Sequence, residues 1–521
     1  MALPAFFAGA RRVDAVLLPL AAIAQAGALG AAAFATRAAF GALHGGGAPS
    51  GGVIATLIVA GFGAAAAELF ARRRGEALGQ SYATALRRRL YAHLAGLSRR
   101  DLDERRLGAL SLRFVGDLSA ARGWVGRGLA HVISAAVVLP GAVLVLWLLD
   151  PALARAALWP MALTAAAMAL LAAGLVARHR RLRRRRSSIA ISAMERIAFA
   201  PELDLMGRTA HELDRLDSAG AELRRRAMDR ASLSGLMRLL PQAGAAVAGA
   251  MMLWRAAGAG VPPGTVAAGL SVLAILALPL RQLADSADRY ASWRVARARM
   301  LALLEMDSAP REVRPVGAPV GVNLRAVMLD GARIEARIPP GALARITGPT
   351  GSGKSRLAAL ISGLDRPAAG TIGYDAPASG LPRIVHVGAL PVILQGSLRR
   401  TLTLGLSPRP GARACREALE AFGLAALATR VGGLRGRLGE GGRTLSEGEA
   451  LRLALARAAL SAADLVVIDC TRLHAEPDAP ALIATLRART AATLVITGPA
   501  TGGAGLAVEP EPAGPVPAPA A

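Results

Sequence analysis

The sequence contains almost no lysine. Of its 62 lysine and arginine residues, only Lys354 is a lysine. Aromatic residues are also scarce, at 3% of the chain. No basic stripe with interleaved aromatic side chains is present, so the net charge of +26 does not indicate a nucleic-acid-binding protein. The only cysteines, Cys415 and Cys470, exclude a disulfide framework.

Apolar residues are abundant instead, at 53% of the 521 residues. Six apolar stretches have about the 20 residues that a helix needs to cross a bilayer. They are residues 15–37, 53–71, 129–149, 153–177, 234–255 and 264–281. The first resembles a secretory signal peptide, but because further apolar stretches follow, we interpret it as an uncleaved first helix. The pattern predicts an all-α membrane domain of six helices over residues 1–305.

The positions of the arginines predict the orientation of these helices. Arginines follow the second, fourth and sixth apolar stretches, as in RHRRLRRRR at 178–186, whereas residues 41–52 and 256–263 contain none. Positively charged flanks remain on the cytoplasmic side of a membrane. We therefore expect a multi-pass protein of the cytoplasmic (inner) membrane, with both termini in the cytoplasm.

The segments between and after the apolar stretches divide the rest of the chain. Residues 72–128 and 178–233 repeat apolar positions at helical spacing, which predicts long cytoplasmic extensions of the membrane helices. Residues 306–320 are interrupted by prolines and are predicted to be a linker. Short β-branched runs between helical patterns predict an α/β domain over 321–500, and the Pro/Ala/Gly-rich residues 501–521 predict a disordered tail.

The single lysine belongs to the sequence GPTGSGKS, which lies between an apolar run and a helical pattern. This is the G-x-x-x-x-G-K-S phosphate-binding loop in its strand–loop–helix context. Its glycines let backbone N–H groups point at phosphate oxygens, and the helix adds its positive end. A compact ammonium suits this loop better than a planar guanidinium. The predicted ATP-binding residues are Gly348, Pro349, Thr350, Gly351, Ser352, Gly353, Lys354 and Ser355.

A second apolar run, DLVVIDCTRL, ends at Asp469. In a phosphate-binding-loop ATPase, a carboxylate at this place holds Mg²⁺, together with the hydroxyl that follows the loop lysine. The predicted Mg²⁺ residues are therefore Ser355 and Asp469, and the predicted cofactors are ATP and Mg²⁺.

The segment before Asp469, GEGGRTLSEGEALRLALARAAL at 439–460, resembles the signature region of ATP-binding cassette (ABC) proteins. Together with six spans and a C-terminal cassette, it resembles an ABC exporter half-transporter. The resemblance implies that Ser446 and Gly448 would donate to the γ-phosphate of an ATP held by an opposite cassette. It also implies that residues 105–125 and 196–208 include the coupling helices that touch the cassettes.

The chain departs from that family where hydrolysis takes place. Cys470 stands at the place of the glutamate that polarises the attacking water, and Gly498 at the place of a histidine. Ala389 stands at the place of a glutamine, and Glu447 replaces a signature glycine. No catalytic residue is therefore intact. A thiol is a poor general base for water, so we expect the site to bind MgATP and to hydrolyse it slowly.

Two functions remain open at this point. The first is ATP-dependent export, with this chain as the catalytically degenerate half of a heterodimer or, less favoured, as a homodimer. The alternative is a membrane-bound, non-hydrolysing ATP-binding or regulatory subunit. Expected partners are the lipid bilayer, a second half-transporter and a small-molecule or lipid-like cargo, with no nucleic acid. Glu68, His131 and Gln242 are weak candidates for contact with a cargo.

Overall fold

The computed structural model describes residues 3–103, 113–329, 331–376, 381–498 and 506–511. The chain separates into two compact units. The membrane unit comprises Met1–Ala95 and Arg105–Asp307, and the cassette unit comprises Gly96–Glu104 and Ser308–Ala521.

Among the described residues, six helices are long and apolar enough to cross a membrane. Each contains one of the six predicted apolar stretches. The helices of the N-terminal part are α1 (Asp14–His44), α2 (Gly51–Ala95), α3 (Arg99–Asp103), α4 (Phe114–Leu149), α5 (Pro151–Ile197), α6 (Ala200–Leu205), α7 (Thr209–Ala259) and α8 (Pro263–Leu304). Of these, only the short α3 belongs to the cassette unit.

Several membrane helices continue far beyond their apolar stretches. With 47 residues, α5 is about 70 Å long, whereas the hydrocarbon core of a bilayer is about 30 Å thick. Its start is fixed by the Asp150 carboxylate, which accepts hydrogen bonds from the backbone N–H groups of Ala152 and Leu153 at 2.8 and 2.9 Å. Pro151 at the first position also favours a helix start.

Glycines allow α2 and α4 to approach each other closely. A Cβ atom added to Gly79 would lie 2.8 Å from the carbonyl oxygen of Arg122, and one added to Gly126 would lie 2.8 Å from that of Gly75. Gly126 lies in a π-helical turn, Trp124–Gly128, near the start of α4. The backbones therefore pack directly against each other, as small residues permit between membrane helices.

The segment around α3 is held by the cassette. The Ala309 N–H donates to the Gly96 carbonyl at 3.2 Å, and the Arg99 N–H donates to the Leu364 carbonyl at 3.0 Å. The Arg100 N–H donates to Asp365 Oδ1 at 3.1 Å. This segment lies just before the coupling segment expected at 105–125, of which residues 105–112 lie outside the described part of the chain.

The cassette is built on three sheets. A five-stranded sheet has the order β10-β3-β9-β8-β5, a three-stranded antiparallel sheet the order β2-β1-β4, and β6 pairs with β7. The strands are β1 (Val322–Leu329), β2 (Ala332–Ile338), β3 (Leu343–Thr347), β4 (Thr371–Tyr374), β5 (Ile384–Gly388), β6 (Gly396–Ser397), β7 (Arg437–Leu438), β8 (Leu465–Asp469), β9 (Thr493–Thr497) and β10 (Ala507–Glu511).

Helices cover the cassette sheets, and the central strands are buried because they lie between packed layers. These helices are α9 (Lys354–Ile361), α10 (Leu398–Leu402), α11 (Ala412–Ala421), α12 (Ala425–Arg430), α13 (Glu447–Leu460) and α14 (Ala479–Arg489).

The strand β10 corrects the expectation of a disordered tail for residues 507–511 only, because residues 501–505 and 512–521 lie outside the described part of the chain. Residues 507–511 pair antiparallel with β3, and Val508 packs against the buried core around that strand. Thr347 Oγ1 also donates to Glu509 Oε1 at 3.2 Å. The Pro/Ala/Gly-rich composition did not indicate a strand. Pro510 is nevertheless tolerated in β10, because β10 lies at the edge of the sheet, where the missing N–H of proline is not needed.

Candidate functional site

The phosphate-binding loop connects the buried strand β3 to helix α9. Gly348, Gly351 and Gly353 have φ values of 146°, 86° and 92°. Side chains with a Cβ atom rarely adopt such angles, so the loop requires glycine at these positions. The loop ends where Lys354 begins the helix, which directs the helix N-terminus towards the loop.

The Lys354 side chain curls over this loop. Its Nζ donates to the carbonyl oxygens of Gly348 and Pro349, at 2.7 and 2.9 Å. The Oγ of Ser352 is buried and has no hydrogen-bond partner among the described residues. An ammonium and an unsatisfied hydroxyl on one small loop fit a phosphate group, which offers several acceptor oxygens.

The two predicted Mg²⁺ residues lie in contact. Ser355 Oγ donates to Asp469 Oδ1 at 2.9 Å, although the two residues are 114 positions apart in the chain. Asp469 reaches this position because β8 ends there, beside β5 and β9 in the parallel part of the sheet. A hydroxyl and a carboxylate are oxygen ligands of the type that Mg²⁺ prefers. When bound, Mg²⁺ would supply charge neutralisation to the phosphates, and these two residues would hold it.

The positions expected to support hydrolysis carry neither a carboxylate nor an imidazole. Cys470 follows Asp469 directly, and its side chain is buried, with 1% exposed. Gly498 follows β9, and its N–H donates to the Ile346 carbonyl at 2.8 Å. A Cβ atom added to Gly498 would meet only ordinary contacts, the nearest being Thr347 Cγ2 at 3.8 Å. The described neighbours of Gly498 therefore leave room for a Cβ atom at this position.

The signature residues form a well-ordered helix start. Ser446 Oγ accepts from the Glu449 N–H at 3.1 Å, and Glu449 Oε2 accepts from the Ser446 N–H at 2.8 Å. This capping box begins α13. Arg430 also donates to Glu449 Oε2 at 2.9 Å, and this hydrogen bond lowers the pKa of the Glu449 carboxyl. Glu449 thus has a structural task that its sequence position alone did not indicate.

The unusual charge of Glu447 is paired. Its Oε1 lies 2.7 Å from Arg472 Nη2, and both side chains are largely exposed. The adjacent Gly448 is half-buried, and a Cβ atom there would lie 2.7 Å from Glu476 Oε1 at the end of that side chain. The negative charge expected to oppose a γ-phosphate is therefore partly compensated within the same chain.

A histidine that sequence reasoning missed lies beside the magnesium residues. His386 on β5 lines a cleft of about 660 Å³ together with Ser355, Asp469 and Arg99. Its Nδ1 is 2.8 Å from Ser362 Oγ. Burial lowers the pKa of His386, and the nearby Asp469 partly opposes this effect. The only sequence signal was one polar residue inside the strand IVHVG.

A second histidine, His474, approaches the end of β9. Its Nε2 contacts the carbonyl oxygen of Thr497, the residue before Gly498. Ala389 lines the same cleft as His386, and Gln395 is exposed on the following loop. Gln395 therefore does not replace the family's glutamine, whose position is held by Ala389.

Two family models match the chain. The model described as ABC transporter transmembrane region matches residues 19–277, and the model described as ABC transporter matches residues 332–471. The chain belongs to the ABC transporter family. With one transmembrane region and one cassette fused in a single chain, this ABC transporter is a half-transporter, as its motifs predicted.

Curated relatives match parts of this ABC half-transporter. The ABC transporter ATP-binding protein RamB of Streptomyces coelicolor is 33% identical over 192 residues, which are 36% of this chain and 31% of RamB. A multidrug efflux ATP-binding/permease protein of Mycobacterium tuberculosis is 27% identical over 259 residues, which are 45% of this chain and 21% of that protein. The chain therefore spans less than a third of the length of either relative.

A solved structure described as a bacterial Atm1-family ABC exporter with ATP bound resembles the chain along almost its whole length. The TM-score is 0.76 at 19% identity, covering 94% of this chain and 91% of that one. This likeness confirms the predicted fold class: six membrane helices with long helical extensions, followed by an α/β cassette.

Proposed function

We propose that this half-transporter exports a small-molecule or lipid-like cargo across the cytoplasmic membrane, driven by ATP, as the catalytically degenerate half of a heterodimer. The observation that carries the proposal is the pairing of Ser355 with Asp469 one residue before Cys470. The two residues proposed to hold Mg²⁺ lie in contact, whereas a buried thiol occupies the position of the group that would activate water.

Binding of MgATP is supported by each part of the phosphate-binding loop. Lys354 offers an ammonium, Ser352 offers an unsatisfied hydroxyl, and α9 offers the positive end of its dipole. Ser355 and Asp469 offer oxygen ligands to Mg²⁺. The missing aromatic residue upstream, with no Phe, Trp or Tyr between Trp293 and Tyr374, removes adenine stacking and favours moderate affinity.

Slow hydrolysis is supported by the two replaced positions. With a thiol at position 470 and no side chain at position 498, neither of the two expected positions supplies a group that polarises the attacking water. Loss of a general base costs about 10²- to 10⁴-fold in rate. A partner chain with an intact glutamate and histidine would give the assembly one working site, and Ser446 and Gly448 of this chain would complete that site. We therefore favour a heterodimer over a homodimer.

The membrane orientation follows from the arginine-rich flanks, which favour both termini and the cassette on the cytoplasmic side. The rival function is a membrane-bound subunit that binds ATP and regulates without transport. The missing catalytic residues fit both functions, but a complete set of six membrane helices favours transport.

Binding and hydrolysis of ATP by the purified full-length chain in lipid nanodiscs test this proposal. We expect saturable binding of a fluorescent ATP analogue with Mg²⁺, and release of inorganic phosphate about 10²-fold slower than in a transporter with an intact base. Lys354→Ala is the matched control and should weaken binding by about tenfold or more, because a charge-assisted contact is lost. Hydrolysis at full rate, or binding unaffected by Lys354→Ala, would contradict the proposal.

To separate export from regulation, the chain is reconstituted with a candidate partner half-transporter. ATP-dependent movement of cargo into inverted vesicles that requires both chains supports export. If the partner alone transports at the same rate, this chain is a regulator.

A further inference from the structure

The membrane unit contains a cavity of about 340 Å³ between α1, α2, α4 and α8. This volume is within the range of sites that bind drug-sized molecules. Part of the wall is apolar and comes from Ala71, Ala130 and Leu278. The cavity lies where the apolar stretches of α2 and α8 meet their arginine-rich ends.

Each carboxylate in the cavity wall is already paired with an arginine. Glu68 Oε1 lies 2.5 Å from Arg72 Nη2. Asp285 Oδ1 lies 2.6 Å from Arg238 Nε. Glu76, the third carboxylate, lies 3.7 Å from Arg122 and 4.0 Å from Arg127. These acidic groups therefore have little attraction left for a cationic ligand.

Two arginines of the cavity wall form no ion pair with a described carboxylate. Within the described part of the chain, neither Arg281 nor Arg289 has a carboxylate oxygen within 4 Å that forms an ion pair. Arg289 Nε is buried without a hydrogen-bond partner there, as is Nδ1 of the neighbouring His131. The guanidinium groups of Arg281 and Arg289 line the cavity, so their charges are available to an acidic group bound there.

We propose that this cavity binds an organic anion. Arg281 and Arg289 hold its acidic group, and its apolar body lies against Ala71, Ala130 and Leu278. Charge-assisted hydrogen bonds from guanidinium groups suit carboxylate, sulfonate and phosphate equally. The inference deepens the proposed export, on which it rests, by naming the chemical class of the cargo. The acidic group belongs either to a soluble organic anion or to an anionic lipid.

The test uses the full-length chain in phosphatidylcholine nanodiscs without nucleotide, so that it does not depend on ATP. The probe is 8-anilinonaphthalene-1-sulfonate, and its neutral counterpart N-phenyl-1-naphthylamine lacks only the sulfonate. We expect saturable binding of the anionic probe, weakened about tenfold or more by Arg281→Gln with Arg289→Gln. Binding of the neutral probe should not respond to these substitutions.

Two control variants exclude trivial explanations. Arg255→Gln removes an exposed arginine of α7 outside the cavity and should leave probe binding unchanged. Arg281→Lys with Arg289→Lys keeps both charges and should keep most of the affinity, even if the glutamine variant folds poorly. The proposal is overturned if Arg255→Gln weakens binding as much as the cavity variant, or if the lysine variant loses affinity to the same extent as the glutamine variant.

Adding phosphatidylglycerol to the nanodiscs distinguishes the two sources of the anion. Displacement of the probe in the wild type, but not in the cavity variant, indicates a lipid head group. Retention of the probe indicates a soluble organic anion. If the anion binds but ATP-dependent transport is absent, the proposed export is wrong and the anion site is supported. If transport occurs without anion binding, the proposed export is supported and the anion site is wrong.

Discussion

Two neighbouring regions of the cassette differ sharply. The phosphate-binding side, from Gly348 to Ser355 with Asp469, is complete and closely organised. On the side expected to activate water, the buried Cys470 and Gly498 occupy the positions where a carboxylate and an imidazole were expected. The two regions meet at consecutive residues, because Asp469 belongs to the first and Cys470 to the second. Under the proposed function, nucleotide binding and nucleotide hydrolysis would therefore depend on different residues at the same edge of the sheet.

The most direct way to break this contrast is to restore the missing groups. We expect Cys470→Glu with Gly498→His to raise phosphate release by the purified chain by about 10²-fold, because a general base returns beside an intact Mg²⁺ site. Gly498 can accept a Cβ atom, since the nearest neighbouring atom would lie 3.8 Å away. The measurement is steady-state release of inorganic phosphate in nanodiscs.

The matched control for that restoration is Cys470→Gln with Gly498→Asn, which is similar in size but supplies no base. It should show no increase in phosphate release. An equal gain in both variants would mean that packing, and not proton transfer, limits the rate in the wild type.

A smaller effect concerns the charge that the signature carries. Arg472→Gln exposes the charge of Glu447, so we expect it to weaken ATP-dependent association with a partner cassette by up to about fivefold at low salt. The double variant Glu447→Gln with Arg472→Gln should recover wild-type affinity. The measurement is the affinity between this chain and the partner cassette as ATP is titrated, for both variants, at low and at high salt. Equal losses in the single and double variants would show that Arg472 acts on something other than Glu447.

The smallest effect concerns His386. Burial lowers the pKa of His386, so the folded cassette keeps this imidazole neutral at a pH where the unfolded chain already takes up a proton. Stability is then fully present above about pH 6.5 and declines as the pH falls towards the lowered value. His386→Gln keeps a hydrogen-bonding partner for Ser362 and should reduce this decline by about 1–2 °C in Tm.

The measurement for His386 is thermal unfolding of the full-length chain across a series of acidic buffers. Substitution of the exposed His44 serves as the control and should leave the pH dependence unchanged. An identical acid decline in the wild type and in His386→Gln would rule out the buried imidazole as its source.

Local patterns were enough to predict the strand and helix on either side of the phosphate-binding loop, and six helices long and apolar enough to cross a membrane. The phosphate-binding loop is recognisable because its glycines, lysine and hydroxyl are adjacent in the chain. Each apolar stretch is recognisable because its length matches the bilayer. These features need no information about which distant residues meet.

Features that depend on distant contacts were missed. The partnership of Arg472 with Glu447 and the position of His386 beside Asp469 depend on strand order and register. The close approach of Gly79 to Gly126 depends on how two helices cross. The strand β10 was hidden because its residues have the composition of a tail, and only pairing with β3 gives them structure.

The solitary lysine has a practical consequence for chemistry performed on this protein. Acylating reagents that attack side-chain amines find a single target in the sequence, and that amine lies on the phosphate-binding loop. One covalent label, followed by mass spectrometry, therefore reports directly on whether the loop is occupied. The same scarcity means that amine-directed crosslinkers could reach only one side chain of this chain, and that side chain belongs to this loop.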